Sequence, residues 1–143
     1  MEFKEVTMDN IKEIVDLKVS KSQVKFVADN CFSIAQVGLM PNSWCRGIYV
    51  NGVPVGFFSV QDRPSNVAYI WRFMIDKNHQ GKGHGKTSLL KIIELLYNNG
   101  AKLIELTVVR EDGGAEAFYK KCGFKPTEEC INGEWRMIQF QSS

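Results

Sequence analysis

No CxxC pair occurs in this chain. Cysteines stand apart at Cys31, Cys45, Cys122 and Cys130, and only His79 and His84 could join them as soft ligands, so no metal site is expected: structural zinc draws on closely spaced pairs. No run approaches the roughly 20 apolar residues that a membrane-spanning helix needs. The opening Met1-Glu2-Phe3-Lys4-Glu5 has no apolar core and no cleavage signal, which argues against a secretory leader. With no export signal, the four cysteines read as reduced, mostly buried thiols, two disulfides being the alternative, and the expected compartment is the cytoplasm. A large charge of either sign is also missing. The formal net charge is +2, too small to argue for nucleic acid or an acidic membrane surface as partner. Repeats, low-complexity tracts and linkers are absent as well, so residues 1–143 are expected to form one domain with its own core.

What is there has the ordinary make-up of a soluble globular protein, 44% hydrophobic and 24% charged. Phe3 to Val6 reads as a short strand. Asp9 or Asn10 can cap a helix whose Ile11, Ile14, Val15 and Leu17 keep one face apolar. Residues 21–40 read as helical and irregular, closed by Gly38 and Pro41. The period then changes. Cys45 to Val50 and Val53 to Val60 flank Asn51-Gly52, a hairpin signal because both turn residues must tolerate positive φ. Val67 to Ile75 reads as a further strand, and its apolar end Phe73-Met74-Ile75 suggests burial on both faces. Gly85 to Asn99 is a helix with Leu89, Ile92, Ile93 and Leu96 on one stripe, ended by Gly100. Lys102 to Val109 is a strand and Gly114 to Lys121 a short helix stopped by Gly123. Strands around Thr127 to Ile131 and Glu134 to Phe140 are joined by Asn132-Gly133. The class is α/β or α+β with a mixed sheet.

The chemistry concentrates at Gln80-Gly81-Lys82-Gly83-His84-Gly85-Lys86, between a buried strand and an amphipathic helix. Glycines at alternate positions let successive N–H groups point into one concavity, and the helix N-terminus adds free donors and a positive dipole end. A phosphate or diphosphate belongs there, with Lys82 and Lys86 adding charge. A P-loop needs GxxxxGK[ST]. Gly85-Lys86-Thr87 supplies its end, but Gln80 stands where the opening glycine belongs. The dinucleotide pattern GxGxxG fails at Lys86.

The pattern that matches is [RQ]-x-x-G-x-[GA], at Gln80, Gly83 and Gly85. Together with Ala115-Glu116-Ala117-Phe118-Tyr119-Lys120-Lys121-Cys122-Gly123-Phe124, which fits A-x-x-x-Y-x-x-x-G-F, it makes the chain resemble the GNAT superfamily of N-acetyltransferases. The resemblance covers nearly the whole chain. It implies a mixed, mostly antiparallel sheet of six to seven strands flanked by about four helices and splayed at an acetyl-CoA site. Main chain at Phe73, Met74 and Ile75 would meet the pantetheine arm. Gly81 to Lys86 would hold the diphosphate, with Gln80 and His84 as parts of the same turn. Tyr119 matches the general-acid tyrosine, where a thiol of pKa about 8.5 leaves against a phenol of about 10. Asp112 stands where the family often has a cofactor-binding asparagine. Members of the family often dimerise, so a homodimer stays open.

An alkyl ammonium has a pKa near 10.4, so about one molecule in a few thousand is free amine at neutral pH, and a base is required. Ile70-Trp71-Arg72, before the glycine turn, supplies no carboxylate. Glu105, Glu111 and Asp62 are candidates, each also readable as a solvated surface carboxylate. The stretch Val19-Ser20-Lys21-Ser22-Gln23-Val24 with Phe26-Val27, and Asn30, Ser33 and Ile34 beyond, looks similar to bacterial spermidine/spermine acetyltransferases, as does Asn132-Gly133-Glu134 after a strand. For a polycation, Glu2, Glu5, Asp9, Glu13, Asp16 and Asp29 could supply charge, and Trp44 and Trp71 could line an amine channel. The expected function is therefore acetyl transfer from acetyl-CoA to a primary amine, with polyamines favoured. Acetylation of an aminoglycoside-like or peptide amine, or a non-catalytic acyl-CoA sensor, are the alternatives.

Overall fold

Seven strands form a single sheet in the computed structural model, which describes residues 1–24, 28–111 and 114–141. In chain order the elements are β1 (Glu2–Lys4), α1 (Ile11–Val15), α2 (Asn30–Leu39), β2 (Ser43–Val50), β3 (Val53–Arg63), β4 (Val67–Ile75), α3 (His84–Asn98), β5 (Leu103–Val108), α4 (Glu116–Lys121), β6 (Lys125–Ile131) and β7 (Glu134–Phe140). Single 3-10 turns lie at Lys21–Gln23 and Lys77–His79. The strand order is β1-β2-β3-β4-β5-β7-β6. All neighbours are antiparallel except β4 and β5, which run parallel and are connected through α3.

Turn chemistry sets the hairpins. Asn51 and Gly52 have φ of 51° and 77°, and Asn132 and Gly133 have φ of 52° and 82°, the doubly positive geometry that matches strand twist. Helices cover both faces of the sheet. On one face Leu89, Ile92, Ile93 and Leu96 of α3 pack on Ile48, Val60, Ile70, Ile104 and Leu106. On the other, Ile14 and Leu17 from the α1 region meet Tyr49, Phe57 and Met74, flanked by Ile34 and Val37 of α2. Each layer removes a continuous apolar surface from water.

Several boundaries differ from the sequence reading, for local reasons. The first strand ends at Lys4, because the Asn10 amide donates to Glu5 O at 2.9 Å and its Oδ1 accepts from Thr7 N at 2.8 Å. That side chain therefore organises the preceding loop and makes no cap bond to α1. Within residues 21–40 the regular helix begins only at Asn30, where Asp29 Oδ1 accepts from Phe32 N at 2.7 Å. Gly38 lies inside α2, and the helix ends where Met40, before Pro41, turns extended. Of the four free thiols, Cys45 and Cys122 are buried while Cys31 and Cys130 are exposed, which corrects the expectation of mostly buried cysteines. Among the described residues no helix is long and apolar enough to cross a membrane.

β4 carries the feature that shapes the site. Its register against β3 runs Ser59↔Arg72 and then Val60↔Ile70, leaving Trp71 as an extra residue. The bulge reverses the alternation of side chains. Before it, Ala68 and Ile70 face the α3 core; after it, Phe73 and Ile75 do, while Met74 joins the opposite cluster. Phe73 is only half-buried, unlike Met74 and Ile75, so the expected burial on both faces does not hold for it.

Candidate active site

β4 and β5 are paired at only three positions, Val67↔Leu103, Ala68↔Ile104 and Tyr69↔Glu105. Beyond Tyr69 the strands diverge. Ile70 to Ile75 keep β3 as neighbour on one side, and Leu106 to Val108 keep β7 on the other. Their facing edges have no strand between them. A cleft of about 910 Å³ fills this gap, lined by Ile70 to Ile75 on one edge and Leu106 to Val109 on the other. Gly114, Ala115, Phe118 and Tyr119 close one side, and Val19, Gln23, Val24 and Ala28 reach it from the N-terminal segment.

The glycine turn forms one mouth of the cleft. Gly81 and Gly83 have φ of 78° and 80°, and a Cβ on either would meet nothing within 4 Å. Backbone conformation, not crowding, is what these positions demand. Gly83 is the N-cap of α3 and offers no side-chain cap. Among the described residues no hydrogen bond engages the amides of Gly81 to Lys86, so the helix start presents its donors outward. Gln80 steadies the turn: its Nε2 donates to Ile75 O and to Gln23 Oε1, both at 2.9 Å. Asp76, buried, accepts from Lys18 N at 2.8 Å and Asn78 N at 3.1 Å and ties the end of β4 to the segment after α1. A diphosphate ester with an extended amide arm fits these features: open glycines and free amides for the anion, an unpaired strand edge for the arm.

Tyr119 is held by α4. Its carbonyl accepts from Phe124 N at 3.0 Å, and Gly123 closes the helix at φ 96°. Its ring lies between Phe118 and Phe124, at centroid distances of 5.4 and 5.8 Å. Phe118 in turn stacks on Phe73 across the cleft. Among the described residues no hydrogen bond engages the Tyr119 hydroxyl. Burial pushes the phenol far above its ordinary range, with Cys122 and then Tyr69 adding to the rise.

Of the residues expected at the cofactor turn, Phe73, Met74, Ile75, Gln80, Gly81, Gly83, Gly85 and Lys86 line the cleft, whereas Lys82 and His84 do not. Asp112 lies outside the described residues, as do Phe26 and Val27. The expected bases fare differently. Glu105 is buried and held by Arg63 at 2.7 Å and Arg136 at 2.6 Å, beside a separate smaller cavity. Asp62 accepts from Trp44 Nε1 at 3.1 Å, and Trp44 packs on Phe58 away from the cleft. Glu111 is not among the lining residues. The N-terminal acidic residues also stay out: Glu5 meets Arg46, Asp16 meets Lys12 and Asp29 caps α2. Trp71 does line the cleft.

Where β4 and β5 part, sequence reasoning missed a polar group. Arg72 donates to Gln36 Oε1 and to Trp71 O, both at 3.0 Å. Burial lowers its guanidinium pKa, with Tyr69 and Glu134 acting against that. Tyr69 Oη lies 3.1 Å from Thr107 Oγ1, which donates to Glu134 Oε1 at 3.3 Å. Only Glu134 had a sequence signal, as the residue after an Asn-Gly turn; the other three come together through the bulge and the parallel pairing.

The Acetyltransferase (GNAT) family model matches residues 21–124 of this chain. The "Probable spermine N(1)-acetyltransferase" of Bacillus subtilis subsp. natto is 32% identical, and the spermine/spermidine N(1)-acetyltransferase of Bacillus subtilis strain 168 is 31% identical, each over 96% of both chains. Among solved structures, the PaiA N-acetyltransferase of Thermoplasma acidophilum in complex with coenzyme A superposes with a TM-score of 0.74 over 98% of both chains at 16% identity. That likeness is one of fold.

Proposed function

Because the chain belongs to the acetyltransferase (GNAT) family, and is thus an N-acetyltransferase with acetyl-CoA as cosubstrate, we propose that it acetylates a primary amine of a polyamine such as spermidine or spermine by direct attack in a ternary complex. The single observation behind direct attack is the gap between β4 and β5. It is one continuous cleft whose lining includes the glycine turn, Trp71 and Arg72, and Tyr119. Both substrates can then be present together, and no covalent relay through the protein is needed. The polyamine class rests on what the Bacillus relatives are named for.

Acetyl-CoA, when bound, supplies an activated acyl carbon and a thiol leaving group. The protein's part is placement and proton handling. Amides from Gly81 to Lys86 bind the diphosphate, with Lys82 and Lys86 adding charge; the edge of Phe73, Met74 and Ile75 aligns the arm; Gln80 holds the turn against β4. Tyr119 donates a proton toward the departing sulfur. Its raised pKa makes full ionisation costly, so donation is concerted with bond cleavage rather than preceding it. We read residues 1–143 as one catalytic unit acting in the cytoplasm; the free thiols fit a reducing compartment.

Free-thiol release tested with spermidine, spermine, an aminoglycoside and a short peptide checks the substrate class. Polyamine-stimulated turnover well above the others is expected; equal or greater turnover with the aminoglycoside or peptide would reassign the acceptor. A chain that binds acetyl-CoA but releases no thiol with any amine would be a sensor.

A further inference from the structure

We propose that Glu134 is the group that takes the proton from the acceptor's ammonium, an inference that rests on the acetyltransferase reading above. Among the described residues it is the one carboxylate that lines the cleft. The competing carboxylates are committed elsewhere: Glu105 to two guanidiniums, Asp62 to Trp44, and Glu129 to Arg136 at 3.4 Å. No salt bridge among the described residues engages Glu134, which is exposed at the start of β7.

Its place in the register matters. Trp135 pairs with Val108, the last residue of β5, so Glu134 stands where the gap between β4 and β5 is open. A polar chain joins the two edges: Tyr69, in the final β4–β5 pair, meets the Thr107 hydroxyl at 3.1 Å, and that hydroxyl donates to Glu134 Oε1 at 3.3 Å. With Oε1 so held, Oε2 is left for the substrate nitrogen. Of the ionisable groups around this carboxylate, Tyr69 of β4 reaches it through Thr107, Arg72 of β4 feels it electrostatically, and Arg136 on its own strand is held by Glu105 of β5 and Glu129 of β6. Arg72 is kept in place by Gln36. Tyr119 approaches the same opening from the α4 side and feels Tyr69 electrostatically. Proton acceptor and proton donor thus flank one gap.

The protons balance. Two of the three ammonium N–H bonds break. The first proton passes to the Glu134 carboxylate and on to solvent, freeing the nitrogen lone pair that forms the C–N bond. As the C–S bond breaks, Tyr119 gives its proton to sulfur and regains the second nitrogen proton. Amide, thiol and one released proton result.

The test uses Glu134→Gln, isosteric and at an exposed position, with Glu134→Asp and a Glu129→Gln control, each assayed for polyamine-dependent thiol release across pH. The wild type should hold a plateau of kcat/KM between about pH 7 and 9. Glu134→Gln should lose about 10²-fold at pH 7 and climb with unit slope toward the amine pKa of about 10.4, because only pre-ionised amine then reacts. Glu134→Asp should recover part of the plateau, and Glu129→Gln should match the wild type. A Glu134→Gln enzyme with the wild-type rate, or with a lower rate and an unchanged pH profile, overturns the assignment. A wild type that releases no thiol with any amine overturns the acetyltransferase reading and this one together.

Discussion

The rise in the Tyr119 phenol pKa from burial, Cys122 and Tyr69 means that this side chain keeps its proton across the neutral range. Tyr119→Phe should therefore remove the proposed proton donor without emptying the cleft. A fall in kcat of about 10²-fold or more is expected, with the KM for acetyl-CoA little changed, in steady-state thiol-release assays. Unchanged turnover would take Tyr119 out of the chemistry. The same shift bears on stability. The unfolded phenol ionises near pH 10 and the folded one above that, so the folded state holds more protons in between. Its stabilising contribution is complete below about pH 10 and is lost as pH rises through the folded value. Burial moves Tyr49 and Tyr97 in the same direction. Burial also raises the thiols of Cys45 and Cys122, which ionise near pH 8.5 when unfolded. Urea midpoints should therefore stay level from about pH 7 to 8, begin to fall above that and fall further above about pH 10, the last part less steeply in Tyr119→Phe.

At the level of elements, the glycine turn separates two kinds of glycine. Gly83 has φ of 80°, so a side chain there is strained despite the open space around it. Gly83→Ala should cost about 1–2 kcal/mol in urea unfolding and weaken acetyl-CoA binding in calorimetric titration. Gly85 lies in the first turn of α3, and a Cβ there would make ordinary contact with Phe118 at 3.6 Å. Gly85→Ala should fold with wild-type stability, in keeping with a motif that accepts either residue at that place. Equal losses in both variants would contradict this account. These elements were legible because their signals are local: Asn-Gly turns, the α3 stripe, and the tyrosine segment of α4 ended by Gly123. The bounds of β4 and β7 match the sequence reading. The polar group formed by Arg72, Tyr69, Thr107 and Glu134 was not legible. Tyr69, Thr107 and Glu134 are far apart in sequence and meet only through strand register, and the extra residue at Trp71 turns Arg72 toward Gln36 without any composition cue. Glu105 looked like an accessible carboxylate because sequence cannot reveal that Arg63 and Arg136 converge on it.

For the molecule as a whole, Glu105 is one of the tethers that hold the sheet together, since its carboxylate joins Arg63 of β3 to Arg136 of β7. Glu105→Gln would leave two guanidiniums facing each other. Because both arginines keep some solvent contact, the expected loss is about 1–2 kcal/mol by chemical denaturation, with acetyl transfer retained. A loss of turnover at unchanged stability would instead assign Glu105 a part in the reaction.

The three-residue parallel register between β4 and β5 has a further consequence. It makes the molecule two ladders, β1 to β4 and β5 to β7, stitched along a short seam, with α3 lying over both. Amide hydrogens on the two ladders should therefore report separate opening events, the seam residues Val67 to Tyr69 exchanging before the centres of either blade. Acetyl-CoA, if it lies along the unzipped edges as proposed, would act as mortar: in its presence both blades should exchange as one cooperative block.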